Sequence, residues 1–81
     1  MSFTYVYVLR SVNHPDRHYV GLTSDLKARL AKHNRREVTH TSKFAPWLLE
    51  TAIAFSSPDK AAAFERYLKS GSGRSFAKRH F

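Results

Sequence analysis

The sequence predicts an α/β fold of the α+β type, in which a small three-stranded antiparallel sheet is flanked by helices in the order β-β-α-β-α-α. Three observations support this class. Runs of β-branched and aromatic residues occur at three places, capping and proline signals precede two helix-forming runs, and 42% of the 81 residues are hydrophobic. A chain of this size buries one core and not two, so we expect a single domain over residues 1–81.

The chain is expected to begin with a β-hairpin. Residues 4–10 and 18–22 are rich in tyrosine and valine, as strands usually are, and the segment between them contains Asn, Pro and Asp. Those three residue types favour turns, so the two strands should lie antiparallel.

A first helix should follow the hairpin, over residues 23–34. Thr23 or Ser24 is expected to be its N-cap, with Asp25 in the first turn, where a negative charge suits the helix dipole. The polar stretch after it, residues 35–46, is expected to be a loop.

The second half of the chain should form one strand and two helices. Ser57 and Pro58 provide a cap and a first-turn proline, and Gly71 and Gly73 are expected to break the helix that follows. The three elements are expected at residues 47–55 (a third strand), 59–70 (a helix) and 73–81 (a short basic helix).

Charge is the strongest functional signal in the composition. Fourteen Lys and Arg against six acidic residues give a net charge of +8, and the sequence pI is about 10.3. A polyanion is the natural partner, and we expect nucleic acid rather than a membrane because no run of residues pairs a wide basic face with large apolar anchors. With no cysteine, zinc fingers and disulfides are excluded. Without a spanning segment, the expected location is the cytoplasm.

The first helix places two polar residues on its buried side. On a helical wheel Arg29 and His33 share the stripe of Leu26 and Leu30. A packed arginine stem and a core histidine with a partner would explain them structurally. The alternative is a functional site that uses both residues.

A carboxylate stands at the margin of the apolar stripe of the second helix. Glu65 lies beside the stripe formed by Leu68, Phe64 and Ala61. By elimination Glu65 is the best oxygen ligand for a hard cation, although a rim glutamate is the structural alternative. The other five acids have simpler positions in turns, first helical turns, a loop or a strand: Asp16, Asp25, Glu37, Glu50 and Asp59.

Three tyrosines lie on the first two strands. Tyr5 and Tyr7 share one face because strand side chains alternate, and Tyr19 belongs to the second strand. Strand tyrosines usually pack with the hydroxyl reaching water. Here hydroxyls, an arginine, a histidine and a carboxylate could instead converge on one edge of a small basic domain.

The order of these residues resembles that of the GIY-YIG nucleases, above all the small stand-alone bacterial branch, which is related to the N-terminal nuclease domain of the excinuclease of nucleotide excision repair. The resemblance covers nearly the whole chain. The matching segments are Tyr5-Val6-Tyr7, Tyr19-Val20-Gly21, Arg29, His33, Lys43-Phe44-Ala45-Pro46-Trp47, Phe64-Glu65 and Leu68–Arg74.

The resemblance implies a metal-dependent endonuclease that hydrolyses phosphodiester bonds in DNA, in repair or processing, with one Mg²⁺ or Mn²⁺ ion. Tyr7 and Tyr19 match the two motif tyrosines, Arg29 the helix arginine, His33 the position that assists the base, and Glu65 the metal ligand. Tyr7 is the favoured base, with Tyr19 orienting water or phosphate. Seven cations are assigned to nucleic-acid binding: Lys27, Lys32, Arg35, Arg36, Lys43, Lys69 and Arg74.

Two departures from the family pattern leave alternatives open. Tyr5 replaces the first glycine of the motif, and the asparagine that many active members carry has no match because no Asn follows Glu65. One alternative is therefore a non-catalytic nucleic-acid-binding module on the same fold. The other is an adaptor whose basic tail, Arg74 to His80, docks an acidic protein.

Overall fold

A computed structural model describes residues 2–81 and shows one antiparallel sheet of three strands. The strands are β1 (Thr4–Ser11), β2 (His18–Thr23) and β3 (Trp47–Phe55), in the spatial order β2-β1-β3. The hairpin joins β1 to β2, and β3 pairs with the other side of β1. The α+β class, the antiparallel sheet and the order β-β-α-β-α-α are confirmed.

Helices cover both faces of this sheet. The α-helices are α1 (Leu26–Asn34), α2 (Pro58–Leu68) and α3 (Gly71–His80), and a short 3₁₀ turn, Ser42–Phe44, lies within the segment expected to be an irregular loop. None of the helices among residues 2–81 has the length and apolar character required to cross a membrane.

Alternation along β1 divides the core into two clusters. Val6 and Val8 point to one face, where they pack with Ala61 and Leu68 of α2 and with side chains of α3. Tyr7 and Leu9 point to the other face, toward Ala45, Trp47 and the leucines of α1. Because β1 is the central strand, these four residues are each at most 5% exposed. Tyr7 is thus fixed in the interior beside α1.

The expected start of α1 was wrong by one or two residues. Asp25 is the N-cap, and its carboxylate accepts a hydrogen bond from the backbone N–H of Ala28 at 3.0 Å. Thr23 instead binds the backbone of Asp25 through its hydroxyl. A carboxylate outcompetes a neighbouring hydroxyl here because it both accepts the orphan N–H and carries the charge that the helix dipole favours.

The two glycines expected to end α2 belong to α3 instead. Ser70 caps α3 by accepting a hydrogen bond from Gly73 N–H at 3.1 Å, so the break falls at Lys69 and Ser70. Gly73 is buried against the end of α2, where an added Cβ would overlap the carbonyl of Tyr67. Glycine is required there for close approach of two backbones, not for breaking a helix.

Candidate active site

Four of the residues singled out in the sequence come together beside β1. Tyr7 lies in the middle of this strand, Tyr19 lies on β2, and Arg29 and His33 lie one turn apart on the inner side of α1. The ring centroids of Tyr7 and Tyr19 are 6.3 Å apart, and the His33 ring lies 5.8 Å from the first and 5.1 Å from the second. The convergence predicted from the sequence is therefore present for these four side chains.

Hydrogen bonds connect three of them into a chain. The hydroxyl oxygen of Tyr7 lies 2.9 Å from Nε2 of His33, and Nε–H of Arg29 donates to the same oxygen at 3.4 Å. Tyr7 and His33 are almost fully buried, with exposed fractions of 2% and 0%. The two hydrogen bonds, from half-buried Arg29 and with buried His33, keep the position of the Tyr7 hydroxyl defined.

Thr41 continues the chain at the other ring nitrogen of His33. Its hydroxyl lies 2.7 Å from Nδ1 of His33 and donates to the carbonyl of Val38 at 3.3 Å. When the hydroxyl hydrogen points to that carbonyl, Thr41 accepts from Nδ1–H of His33. Nε2 is then the unprotonated nitrogen that accepts the hydroxyl proton of Tyr7.

Gly21 makes room for the Tyr7 ring. The two residues are directly paired between β1 and β2, and a Cβ added to Gly21 would overlap the end of the Tyr7 ring and its hydroxyl. A glycine inside a strand is typical of such close approach. The Tyr7 hydroxyl reaches α1 because the opposite position of β2 carries no side chain.

Electrostatics keep Tyr7 and His33 neutral in the free protein. Burial raises the pKa of the Tyr7 hydroxyl above its ordinary value of 10.0, although the hydrogen bond from Arg29 opposes this shift. Burial, and secondarily the positive charge of Arg29, lowers the pKa of His33 below 6.5. His33 is consequently unprotonated at neutral pH and can accept a hydrogen bond from the Tyr7 hydroxyl.

Glu65 reaches the same region through Lys69. Its carboxylate pairs with the Lys69 ammonium at 2.8 Å, one turn along α2, and the side chain is 19% exposed. The Lys69 ammonium also lies 5.9 Å from the centre of the Tyr19 ring. Lys69 thus lies between the Glu65 carboxylate and the Tyr19 ring at the edge of β2.

The donor set near Glu65 fits a hard divalent cation that is held mainly by other ligands. Within residues 2–81, no three His, Cys, Asp or Glu side chains come close enough to hold an ion by themselves. Mg²⁺ commonly takes one or two carboxylates and completes its shell with water and substrate phosphate oxygens. A single, partly accessible carboxylate satisfies that requirement.

The seven cations predicted to bind nucleic acid do not form one patch. Lys27, Lys32 and Lys43 are exposed on the side of the sheet that carries α1, whereas Lys69 and Arg74 belong to the side of α2 and α3. Three of the seven have partners within the protein. Lys69 pairs with Glu65. Arg35 pairs with Glu37, and Arg36, whose φ is 63°, donates to the carbonyls of Ser42 and Ala45.

Sequence reasoning missed Thr41 and gave Gly21 no role of its own. Gly21 carries a usable signal, because a glycine within a β-strand run marks close contact. Thr41 carries none, since it lies in an irregular segment whose path to His33 depends on the tertiary fold.

Comparison with known families agrees with this geometry. The model of the GIY-YIG catalytic domain matches residues 3–79, nearly the whole chain. The chain therefore belongs to the GIY-YIG family, a family of nucleases, and its expected substrate class is nucleic acid. The comparison with curated proteins gave no match.

Proposed function

We propose that this protein is a metal-dependent endonuclease that hydrolyses phosphodiester bonds in DNA. The observation that supports the proposal most directly is the buried chain from Arg29 through Tyr7 and His33 to Thr41. A purely structural tyrosine does not need its hydroxyl held between a cation and an unprotonated imidazole. A tyrosine with an ordinary pKa of about 10 needs a metal-bound water, a cation or a second base beside it to act as a general base at neutral pH.

Tyr7 is the base in this proposal, and His33 assists it. A water molecule that attacks phosphorus gives its proton to the Tyr7 oxygen, while the Tyr7 proton passes to Nε2 of His33. The positive charge of Arg29 disfavours protonation of His33 in the free protein. The negative charge of a bound phosphate offsets Arg29, so substrate binding makes the proton transfer easier.

Arg29 and Tyr19 bind and orient the substrate. A guanidinium holds a phosphate oxygen and spreads the charge that develops on it in the transition state. Tyr19 is more exposed than Tyr7 and borders the cluster at the edge of β2, where it can orient water or phosphate.

Glu65 is the residue that would hold one Mg²⁺ or Mn²⁺ ion. When bound there, the ion would polarise the phosphoryl oxygen as a Lewis acid and stabilise the leaving oxygen. Lys69 keeps the Glu65 carboxylate oriented along α2.

The test is a cleavage assay on end-labelled single-stranded, duplex and branched DNA with Mg²⁺, Mn²⁺ or EDTA. Glu65→Gln and Arg29→Ala should abolish cleavage, and Tyr7→Phe should reduce its rate by about 10²–10⁴-fold. Glu37→Gln, which removes a carboxylate outside the cluster, is the matched control and should retain activity.

Other outcomes have definite meanings. Cleavage that survives both Glu65→Gln and Arg29→Ala would refute the proposed active site. DNA binding by the wild type without cleavage under any metal would favour the non-catalytic binding module. If Tyr19→Phe abolishes cleavage and Tyr7→Phe does not, the roles of the tyrosines are reversed.

A further inference from the structure

A groove of about 870 Å³ lies on the face of the sheet opposite the Tyr7 cluster. Residues of the hairpin, of the end of α2 and of α3 line it. Its volume lies within the range of roughly 300–1,000 Å³ that small-molecule sites occupy. The apolar part of its lining, which we call the floor, is formed by Val8, Val20, Leu68, Ala77 and Phe81.

The rim of the groove is mainly cationic. Lys69, Arg74 and Lys78 line one side, and the last two lie one turn apart on α3. Among residues 2–81 neither Arg74 nor Lys78 forms an ion pair, and like charges at this spacing repel each other. The arrangement costs stability in the free protein and favours an anionic occupant.

Glu65 offsets the charge of Lys69, but acidic groups do not offset Arg74 and Lys78. Glu50 lines the groove but pairs with Arg10 at 3.2 Å and with His18 at 3.4 Å. Asp16 lies in the hairpin turn, next to the cation Arg17, and both contribute to the far end of the rim. The side formed by α3 is therefore left positive.

The groove is continuous with the candidate active site. Tyr19 belongs to the cluster and also lines the groove. Lys69 lines the groove as well, and its ammonium lies over the Tyr19 ring and pairs with Glu65. A strand that leaves the active site around the edge of β2 enters the groove directly.

We propose that this groove binds the unpaired strand of nucleic acid adjoining the phosphate to be cleaved, with a base on the apolar floor and backbone phosphates on Lys69, Arg74 and Lys78. The inference rests on the proposed function, because it takes nucleic acid as the substrate. It adds a preference for substrates that carry a single-stranded segment.

The apolar floor distinguishes an unpaired strand from a duplex. Bases in a duplex are stacked and paired, so a duplex presents only phosphates and groove edges to a protein surface. An unpaired strand can turn a base toward the protein, and proteins that bind single strands combine a cationic track with such base contacts. A duplex would engage the rim and leave the floor uncovered.

The experiment measures binding of the full chain to a fluorescent 12-nucleotide single strand and to the matching duplex, in EDTA, over a range of salt concentrations. The groove variant is Arg74→Gln with Lys78→Gln. The control is Lys60→Gln with Arg66→Gln, which removes the same charges from exposed positions of α2 outside the groove lining. Thermal unfolding verifies that each variant folds.

The groove variant should bind the single strand on the order of tenfold more weakly, and its log–log salt slope should fall by about 1.4, or 0.7 for each phosphate that is no longer neutralised. The control should change both by much less. Phe81→Ala should weaken single-strand binding about fivefold and leave duplex binding unchanged, because only an unstacked base reaches the floor.

Equal losses of single-strand affinity in the groove variant and the control would show that only total charge matters and would overturn the proposal. A loss confined to the duplex would overturn it as well. Because binding is measured without metal, it is separate from the test of catalysis. If the protein binds through the groove but does not cleave, the proposed nuclease activity is refuted and the groove proposal stands. If the groove variant cleaves with an unchanged KM, the groove proposal is refuted and the nuclease activity stands.

Discussion

Thr41 is the single residue on which the geometry of the buried chain depends most. It accepts the Nδ1 proton of His33 and so leaves Nε2 free for the Tyr7 proton. Its backbone carbonyl also accepts a hydrogen bond from Nε1 of Trp47 at 2.9 Å, which holds the loop against β3. The hydroxyl and the carbonyl have separate tasks, so a side-chain substitution tests the hydroxyl alone.

Thr41→Val should lower the free energy of unfolding by about 1–3 kcal/mol, because a buried N–H of His33 loses its partner. Thr41→Ser, which keeps the hydroxyl, should cost less. Nitrogen chemical shifts of the imidazole should show a single Nδ1–H tautomer in the wild type and in Thr41→Ser, and a mixture in Thr41→Val. An unchanged tautomer in Thr41→Val would contradict the positioning role.

His33 should also make stability depend on pH. Burial, together with Arg29, lowers its pKa in the folded state below 6.5, so the unfolded chain binds a proton more readily. This contribution to stability is complete above pH 6.5 and is lost as the pH falls from 6.5 through the lower folded-state value. Denaturant unfolding between pH 5 and 7.5 should show the decline in the wild type and a smaller one in His33→Gln. If the free energy of unfolding falls equally with pH in both proteins, His33 is not the source of the decline.

At the scale of elements, the contact between α2 and α3 depends on one of the two glycines that begin α3. At Gly73 an added Cβ would overlap backbone atoms of Tyr67, whereas at Gly71 it would meet nothing within 4 Å. Backbone atoms cannot rotate aside, so the first position tolerates no side chain unless α3 shifts.

Gly73→Ala should therefore destabilise the protein by about 1–3 kcal/mol, as overpacking usually does. Gly71→Ala should stabilise it by up to about 0.5–1 kcal/mol, because alanine loses less backbone entropy in a helix. Thermal unfolding of both variants measures the difference. Two variants of equal stability would show that α3 is free to move away from α2.

At the scale of the whole molecule, size and charge together limit how nucleic acid is bound. The longest dimension is 32 Å, which equals about nine base pairs of B-DNA at 3.4 Å each. The net charge of +8 is distributed over both sides of the sheet. A short footprint with many cations favours binding through phosphates over recognition of a long sequence.

If the α1 side contributes to binding, replacing Lys27, Lys32 and Lys43 together by Gln should weaken DNA binding at all sequences alike. The log–log salt slope should fall by about 0.7–0.9 for each phosphate that these lysines no longer neutralise. Equilibrium binding at several salt concentrations measures it, with Lys60→Gln as the control. An unchanged slope would restrict the interface to the side of α2 and α3.

The amino-acid sequence alone determined the class of fold, the order of its elements and the residues of the candidate cluster. These depend on local chemistry: alternation along β1, turn residues in the hairpin, and the 3.6-residue period that places Arg29 and His33 on the buried side of α1. Element boundaries were less certain, because Asp25 and two hydroxyl residues before it could all cap the same helix, and only the folded backbone selects one.

Only the tertiary structure decided what those side chains contact. Thr41 reaches His33 across an irregular segment, and Lys69 links Glu65 to the edge of β2. Gly73 allows α3 to approach the end of α2 closely and does not terminate α2. Contacts between residues distant in sequence depend on how elements pack, and no local pattern encodes them. The buried hydrogen-bond chain and the basic groove therefore exist only once the sheet and its helices are assembled.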